Sequence, residues 1–291
     1  MDDQEAIRMK CLVCDGSTKA GLFDWHRFCP SCRYESADLA PVINEAGAHT
    51  RVDELDREVA LKSLRAENFK VIVDLINRLV PVSAKRLLDV GSAHGWFLDE
   101  ASKRFDVVGV EPDTAVAERA RDRGLPVRIG YFPDVLNQSE LFDVIVFNDV
   151  IEHIPDINRA LQASYDQLSP DGLLVLNLPR SSGVFYRIAK VCARFNWHGP
   201  FERMWQKDLP SPHVHYFNEK NLDALVTRHR FQPLQSRHLS SLSSGGLLER
   251  LRFVGQVHPV ALYTQCLILR CAIPFLKLMP SDIVVCTYRK R

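Results

Sequence analysis

The sequence predicts an α/β protein with a doubly wound sheet of mainly parallel strands. A small module with paired cysteines precedes the sheet domain, and a helical lid is inserted into that domain. Short apolar runs alternate with helical patterns between residues 84 and 180, which is typical of consecutive β-α-β units. Four cysteines form two CxxC pairs near the N-terminus, where so short a segment needs a cross-link to fold. The 291 residues suffice for one such domain with accessory segments.

The cysteine pairs predict a structural zinc site. Cys11 and Cys14 make the first pair, and Cys29 and Cys32 make the second after fourteen intervening residues. Two such turns on facing hairpins can offer four thiolates to one tetrahedral ion. No fifth ligand is evident, so we expect a closed zinc ribbon over residues 1–40 and no catalytic metal. A linker and an amphipathic helix should follow over residues 41–81, with the helix capping the edge of the next domain.

The distribution of charged and apolar residues limits the possible cellular location and binding partners of the protein. Residues 1–175 contain 20 Lys and Arg against 30 Asp and Glu, whereas residues 176–291 contain 17 against 6. The last part of the chain therefore favours anionic surfaces or substrates. No signal peptide is visible at the N-terminus, and Arg270 lies near the centre of the longest apolar stretch, residues 257–279. We expect a cytoplasmic protein without a transmembrane helix.

A glycine-rich turn follows the first predicted strand of the α/β domain. RLLDV (residues 86–90) is a buried-strand pattern, and GSAHG (residues 91–95) leads from it into a helical pattern at residues 96–105. Such a turn brings the backbone close to a ligand at a helix N-terminus. The next strand, residues 106–110, ends at Glu111, where a carboxylate can accept hydrogen bonds from both hydroxyls of a ribose.

Four segments carry a family resemblance. LLDVGSAHGWFL, GVEPD, FDVIVFNDVIEHIPD and LSPDGLLVLNLP, in this order and spacing, resemble the successive motifs of class I S-adenosylmethionine-dependent methyltransferases. They are most similar to the ubiquinone-biosynthesis-like branch, methyltransferase type 11/23. The resemblance covers about residues 84–180 and implies a seven-stranded Rossmann-like sheet with S-adenosylmethionine as cofactor.

The resemblance also implies roles for individual residues. Glu111 would hold the ribose hydroxyls, and Phe132 would pack near the adenine. The other cofactor-binding residues implied are Asp89, Gly91, Ser92, Gly95, Pro112, Asn148 and Val150. Two departures from the family pattern are evident: Ala93 replaces the middle glycine of GxGxG, and the acidic residue usual near the third strand is absent.

Two histidines are candidates for a general base. Methyl transfer to a hydroxyl or carbon acceptor needs a group that removes a proton, and neutral histidine suits this role near pH 7. His153 follows a predicted strand on the carboxyl side of the sheet, and His215 lies in the sequence PHVHYF before a predicted helix at residues 219–230. The residues leave other roles open, a loop contact for His153 and a helix cap for His215. His213 and His215 could bind a metal, but no third ligand is evident.

The basic part of the chain is expected to form a lid. Residues 180–218 and 240–280 interrupt the predicted methyltransferase domain, residues 82–291. Arg187, Lys190 and Arg194 alternate with apolar residues on a helical pitch. Two interpretations stay open and are compatible, packing of this lid onto the domain and contact with an anionic membrane surface at the inner face of the membrane. Residues 282–288 should form the last strand, antiparallel at the sheet edge.

The function that these features predict is methyl transfer from S-adenosylmethionine to a small-molecule or glycan-type acceptor. The resemblance favours an oxygen acceptor, with carbon as the second choice, on a nucleotide-linked or lipid-linked sugar. Two alternatives come from other classes: a zinc-ribbon RNA methyltransferase, and a non-catalytic scaffold with a degenerate cofactor site. The ribbon is not strongly basic and no aromatic-basic platform is evident, so nucleic acid is the weaker choice.

Overall fold

The computed structural model describes residues 10–43, 54–241, 247–248, 259–276 and 278–291. Its strands are β1 (Lys19–Ala20), β2 (His26–Phe28), β3 (Glu35–Ala37), β4 (Arg86–Val90), β5 (Asp106–Glu111), β6 (Val127–Ile129), β7 (Phe142–Asn148), β8 (Leu168–Pro179), β9 (His215–Tyr216), β10 (Phe231–Leu239) and β11 (Ile283–Lys290). Its helices are α1 (Glu54–Leu79), α2 (Trp96–Ala101), α3 (Thr114–Asp122), α4 (Ile157–Gln167), α5 (Val184–Arg194), α6 (Gly199–Met204), α7 (Glu219–Arg228) and α8 (Pro259–Leu276).

The predicted doubly wound α/β sheet is confirmed. Seven strands lie in the order β10-β11-β8-β7-β4-β5-β6, and the pairs from β8 to β6 are parallel. The central strands are apolar runs because helices cover both of their faces. Along β7, Ile145 and Phe147 pack on the face covered by α4 and α7, whereas Val144 and Val146 pack on the face covered by α1 and α2.

Two expectations about the sheet were wrong in position. The last strand, β11, is antiparallel as predicted, but it lies between β8 and β10 and not at the edge. Its apolar residues are buried, whereas the polar sequence of β10 is mostly exposed and suits an edge strand. Helix α1 covers a face of the sheet instead of its edge, because Ile72 and Ile76 pack against Leu87.

The N-terminal module shares its sheet with the lid. Strands β1, β2, β3 and β9 form a four-stranded antiparallel sheet, and β9 comes from residues more than 170 positions further along the chain. Glu35 pairs with Tyr216 and Ser36 pairs with His215. The ribbon is therefore built into the protein and does not stand apart as a separate body.

The lid packs on the ribbon through aromatic side chains. Helices α5 and α6 contribute Tyr186 and Phe201, and Trp205 follows directly after α6; all three are fully buried. They enclose Phe23 and Trp25 of the ribbon, whose rings stack with centroids 5.2 Å apart. Helices α5 and α6 of the first insertion therefore pack on the ribbon.

Several predicted features fall outside the described residues. The first nine residues of the ribbon segment, residues 44–53 of the linker, and residues 242–246, 249–258 and 277 of the second insertion belong to this group. Arg250 and Arg252, two basic residues of the predicted insertion at residues 240–280, are among them. Within the described part of the chain, no helix is both long and apolar enough to cross a membrane.

Candidate active site

A cavity of about 330 Å³ opens at the carboxyl ends of β4, β5 and β7. This is the edge where ligands bind in open α/β sheets, because strand ends and helix N-termini converge there. The lining residues form two sets, named for the roles that the sequence predicts. The cofactor half consists of Val90, Gly91, Ala93, His94, Trp96, Val110, Glu111, Pro112, Asp113, Val116, Tyr131, Phe132, Asn148 and Val150. The acceptor half consists of Pro41, Ile43, Arg65, Asp149, His153, Ile154, Pro155, Gln206, Leu209, Pro210 and Ser211.

The glycine-rich turn, residues 91–95, contributes to the cofactor half, and three of its residues have left-handed backbone angles. Gly91 has φ 71°, Ala93 φ 44° and Gly95 φ 75°. A Cβ atom on Gly91 would lie 2.5 Å from Val150 Cγ2, so this position requires glycine twice over, for its φ and for the close approach. Ala93, which replaces the family's middle glycine, adopts the same region despite its side chain.

Glu111 is held in a fixed orientation at the end of β5. Its Oε2 accepts a hydrogen bond from the backbone N–H of Ala93 at 2.8 Å, and its Oε1 accepts one from the N–H of Asp113 at 2.9 Å. The glycine turn and the β5 end are therefore tied together through one carboxylate. A carboxylate with both oxygens anchored and remaining lone pairs is suited to accept two ribose hydroxyls.

The structure separates the predicted cofactor residues into two groups. Gly91, Glu111, Pro112, Phe132, Asn148 and Val150 line the cavity. Asp89, Ser92 and Gly95 lie behind this wall and are not among the lining residues. Phe132 lines the cavity and packs edge-on against Phe147 with ring centroids 5.6 Å apart, and its contact with adenine stays a prediction.

Asp89 does not line the cavity but contacts a residue that does. It is fully buried, and its Oδ1 accepts a hydrogen bond from Asn148 Nδ2 at 3.2 Å. Burial raises the pKa of Asp89 to about 8, although the Asn148 bond lowers it. The side chain therefore fixes the Asn148 amide, which does line the cavity.

His153 is the predicted base that reaches the cavity wall. It ends a short 3₁₀ helix (Ile151–His153) directly after β7. Its Nδ1 donates to the carbonyl oxygen of Pro212 at 2.9 Å, which places the ring proton of the neutral imidazole on Nδ1. The lone pair then lies on Nε2, the atom that can accept a proton.

His215 has a different environment. Its Nε2 donates to the carbonyl oxygen of Ile154 at 2.9 Å, and its Nδ1 accepts from the Tyr34 hydroxyl at 2.5 Å. The residue is buried, does not line the cavity, and burial lowers its pKa to about 4. Both ring nitrogens of His215 are thus engaged away from the cavity, whereas His153 lines it.

His213 lies beside His153, a contact that the sequence did not reveal. The two imidazole rings lie edge to face with centroids 4.6 Å apart, and Gln206 Nε2 donates to His213 Nε2 at 2.9 Å. Glu152, His153 and His213 present ligand atoms that all lie within 4.8 Å of one another. A third candidate metal ligand, which the sequence did not reveal, is thus present near His213. The cluster does not include His215.

Glu152 is the acidic member of this cluster and is deeply buried. Its side chain is 1% exposed, and its carboxylate accepts no hydrogen bond from another described residue. Burial raises the pKa of Glu152 well above its usual range, and the nearby charge of Asp149 raises it further. Burial thus disfavours the charged form of Glu152, and a cation bound beside it would favour that form.

The rest of the acceptor half had no motif in the sequence. Arg65 of α1 forms an ion pair with Asp149 across 3.8 Å. Pro41 and Ile43 reach the cavity from the segment that follows the ribbon, and residues 209–211 reach it from the lid. These walls are assembled from distant parts of the chain, so only the fold brings them together.

The four ribbon cysteines fit a zinc ion. The sulfurs of Cys11 and Cys32 lie 3.5 Å apart, those of Cys14 and Cys29 lie 3.6 Å apart, and all four fall within 4.8 Å of one another. A tetrahedron with Zn–S bonds of about 2.3 Å separates its sulfurs by about 3.8 Å. The geometry suggests zinc binding and excludes disulfides, whose sulfurs would lie about 2 Å apart.

Comparison with known proteins identifies the family. The methyltransferase domain family matches residues 64–236, which is more than half of the chain, so the chain belongs to that family. The ubiquinone biosynthesis O-methyltransferase of Azorhizobium caulinodans is 28% identical over 139 residues, covering 44% of this chain and 54% of the relative. The mitochondrial enzyme of the same name from Mus musculus is 28% identical over 202 residues, covering 62% of this chain and 54% of the relative. The chain thus spans about half the length of these curated relatives.

Solved structures agree on the fold. An S-adenosylmethionine-dependent methyltransferase from Thermotoga maritima superposes with a TM-score of 0.52 at 19% identity, covering 82% of this chain and 95% of that one. A phosphoethanolamine N-methyltransferase from Haemonchus contortus, bound to S-adenosyl-L-methionine, gives a TM-score of 0.52 at 17% identity, covering 77% and 52%. Identities this low establish the class I methyltransferase fold alone.

Proposed function

We propose that the protein transfers a methyl group from S-adenosylmethionine to a hydroxyl oxygen of a small-molecule or glycan-type acceptor. One observation carries the proposal: a single cavity is lined by the anchored Glu111 carboxylate, the Gly91 turn and His153. The first pair of features suits the ribose and methionine parts of the cofactor. The histidine suits proton removal from the acceptor.

The reaction is a displacement at carbon. The bond between the sulfonium and the methyl group breaks, a bond from the acceptor oxygen to the methyl carbon forms, and S-adenosylhomocysteine leaves neutral at sulfur. The hydroxyl proton passes to His153 Nε2, since Nδ1 already donates to Pro212. Because the sulfonium is a strong leaving group, the protein contributes mainly alignment and the base. A carbon acceptor would use the same base on a C–H proton.

The acceptor class rests on the walls opposite the cofactor half. Pro41, Ile43 and Leu209 give this side an apolar surface, while Arg65 and Gln206 add polar groups that can orient hydroxyls. The cavity volume of about 330 Å³ admits a small molecule or the end of a larger one beside the cofactor. A nucleotide-linked or lipid-linked sugar fits this description, and the basic balance of residues 176–291 favours its anionic carrier.

Two helices support contact with the inner face of an anionic membrane as part of this proposal. Ile188, Val191 and Phe195 form an exposed row on α5, with Arg187 and Arg194 beside them. On α8 the exposed apolar residues are Tyr263, Leu267 and Ile268. The turn after α8 adjoins the start of α5, where Val184 N–H donates to the Pro280 carbonyl at 3.2 Å. Exposed apolar rows flanked by arginine are typical of interfacial helices.

The function is tested by incubating the protein with methyl-labelled S-adenosylmethionine and separated lysate fractions containing lipid-linked glycans, small molecules, RNA or protein. Label in the glycan or small-molecule fraction supports the proposal and directs purification of the acceptor. Label in RNA alone would favour the alternative RNA methyltransferase, whose binding should also fall steeply with salt. No label in any fraction, together with no binding of S-adenosylhomocysteine, would favour the scaffold.

A further inference from the structure

The ribbon reaches the acceptor half of the cavity by main-chain hydrogen bonds. Ala37 N–H donates to the carbonyl oxygen of Val214 at 3.0 Å, which extends the pairing of β3 with β9. Five residues further along, Val42 N–H donates to the carbonyl oxygen of Pro210 at 2.8 Å. The segment from residue 210 to residue 217 is therefore held along its length by the ribbon and the chain that leaves it.

A side-chain path runs from the second cysteine turn to the cavity wall. Tyr34 follows Cys32 by two residues, and its carbonyl oxygen accepts the Cys29 N–H at 2.8 Å, so its backbone belongs to the metal-binding turn. Its hydroxyl donates to His215 Nδ1, and His215 Nε2 donates to the Ile154 carbonyl. Ile154 lines the cavity. Tyr34 is only 2% exposed and His215 only 6%. The polar side-chain atoms of this buried path nevertheless all form hydrogen bonds.

The segment that the ribbon holds also orients the base. Val214 N–H donates to the Glu152 carbonyl at 2.8 Å, which fixes the 3₁₀ helix that carries His153. The Pro212 carbonyl accepts the His153 Nδ1 proton and thereby sets the tautomer. Displacement of residues 210–217 would remove both contacts, whereas the Glu111 carboxylate is held by the backbone N–H groups of Ala93 and Asp113 and depends on neither.

We propose that the ribbon is a positioning device for the acceptor half of the cavity, and that Tyr34 and His215 are the positioning residues through which the metal-bound turn sets the His153 wall. The proposal rests on the proposed function only in assigning that half to the acceptor. A zinc ion held by Cys11, Cys14, Cys29 and Cys32 would fix the turn from which Tyr34 projects. A ribbon that merely stabilised the fold would have no such directed effect.

Hydrogen exchange of backbone amides distinguishes the two roles without an acceptor. The full-length protein is compared as wild type, Tyr34→Phe and Tyr165→Phe. The control also loses a tyrosine hydroxyl that donates a hydrogen bond, since Tyr165 donates to the main-chain oxygen of Arg291 at 2.5 Å and neither residue lines the cavity. We expect Tyr34→Phe to raise exchange about fivefold to tenfold in peptides covering residues 149–156 and 210–217, and to leave residues 86–111 unchanged. Tyr165→Phe should change neither region.

A second variant breaks the same contact from its other partner. His215→Gln keeps an amide donor for the Ile154 carbonyl but has no acceptor at the position of Nδ1, where Tyr34 donates, and it should reproduce the exchange pattern of Tyr34→Phe. If one variant does not fold, the other carries the test. Unchanged exchange at residues 149–156, or equal increases on both sides of the cavity, would overturn the proposal.

Binding of S-adenosylhomocysteine, measured on the same samples, separates this proposal from the proposed function. We expect its Kd to stay within about twofold of wild type in Tyr34→Phe, because the cofactor half is not touched. Absence of binding in the wild type would count against the proposed function, while the exchange pattern would still decide the role of the ribbon. A large loss of binding in Tyr34→Phe alone would contradict a role confined to the acceptor half.

Discussion

His153 Nδ1 lies 2.9 Å from the carbonyl oxygen of Pro212, so the imidazole of a residue after β7 is oriented by the backbone of the lid. This contact decides which ring nitrogen can accept a proton. It also makes the base dependent on a segment that is nearly sixty residues away in the chain.

Replacing the base should reduce turnover without affecting the cofactor. We expect His153→Asn to lower the rate of methyl transfer by about 10²- to 10⁴-fold, because the variant lacks a proton acceptor at Nε2. The Kd of S-adenosylhomocysteine should stay near that of wild type. Rates are measured with labelled S-adenosylmethionine on whichever lysate fraction accepts label. Unchanged turnover in both His153→Asn and His215→Asn would remove a histidine base from the mechanism.

The glycine turn should tolerate no side chain at Gly91. Gly91→Ala places a Cβ 2.5 Å from Val150 Cγ2 and forces an alanine to φ 71°, so we expect loss of S-adenosylhomocysteine binding and a lower free energy of unfolding. Gly124→Ala is a matched control, because Gly124 has φ 83° but nothing within 4 Å of the added atom. It should cost about 1 kcal/mol and leave binding intact. Equal effects of the two substitutions in calorimetry and denaturation would show that the approach to Val150 is unimportant.

His215 should make the fold sensitive to acid. Its pKa is lowered to about 4 in the folded protein from about 6.5 in the unfolded chain, so the unfolded state binds a proton first as the pH falls. Its contribution to stability is complete above pH 6.5 and is lost between pH 6.5 and 4, by about 3 kcal/mol. Urea denaturation of wild type and His215→Gln at several pH values measures this. A wild-type slope no steeper than that of the variant would refute the assignment.

Zinc content should follow the ribbon cysteines alone. We expect one zinc per chain by elemental analysis, its loss in Cys14→Ser, and its retention in Cys192→Ser, which removes a thiol from α5 outside the ribbon. Loss of the metal should also lower thermal stability, because Cys11 and Cys29 are buried in the main core beside Leu222 and Val226 of α7. Zinc retained at full occupancy in Cys14→Ser would place the metal elsewhere.

The exposed apolar row on α5 predicts binding to anionic vesicles. We expect wild type to sediment with phosphatidylglycerol vesicles but not with phosphatidylcholine vesicles, and Ile188→Ser combined with Phe195→Ser to weaken binding at least about tenfold. Val82→Ser is the control, because Val82 is 85% exposed but lies apart from α5. If wild type does not sediment, or if the double variant binds as well as wild type, the α5 row has another role.

The sequence was sufficient for features that depend on local patterns. Strand β4 begins and ends at the predicted residues 86 and 90, because a short apolar run in this fold is buried on both faces of the sheet. The cysteine spacing predicted a group of thiolates that the structure assembles. Glu111 was predicted at the end of the next strand, and it is the last residue of β5.

Long-range relationships could not be predicted in this way. Tyr34 and His215 are 181 residues apart, and neither side chain carries a motif that points to the other. The pairing of β3 with β9 depends on the lid folding over the ribbon, which no local pattern records. The order of β11 and β10 was missed for a similar reason, because antiparallel strands at the end of a chain can add to a sheet in either order.

The central claim, that the cavity is an S-adenosylmethionine site, is tested most directly by titrating S-adenosylhomocysteine into the protein in a calorimeter. The account predicts one site per chain in wild type and affinity at least about tenfold weaker in Glu111→Ala, which removes both anchored oxygens. It further predicts near wild-type affinity in Glu118→Ala, a change on the following helix α3 outside the cavity. No binding by the folded wild-type protein, or equal affinity in Glu111→Ala, would contradict it.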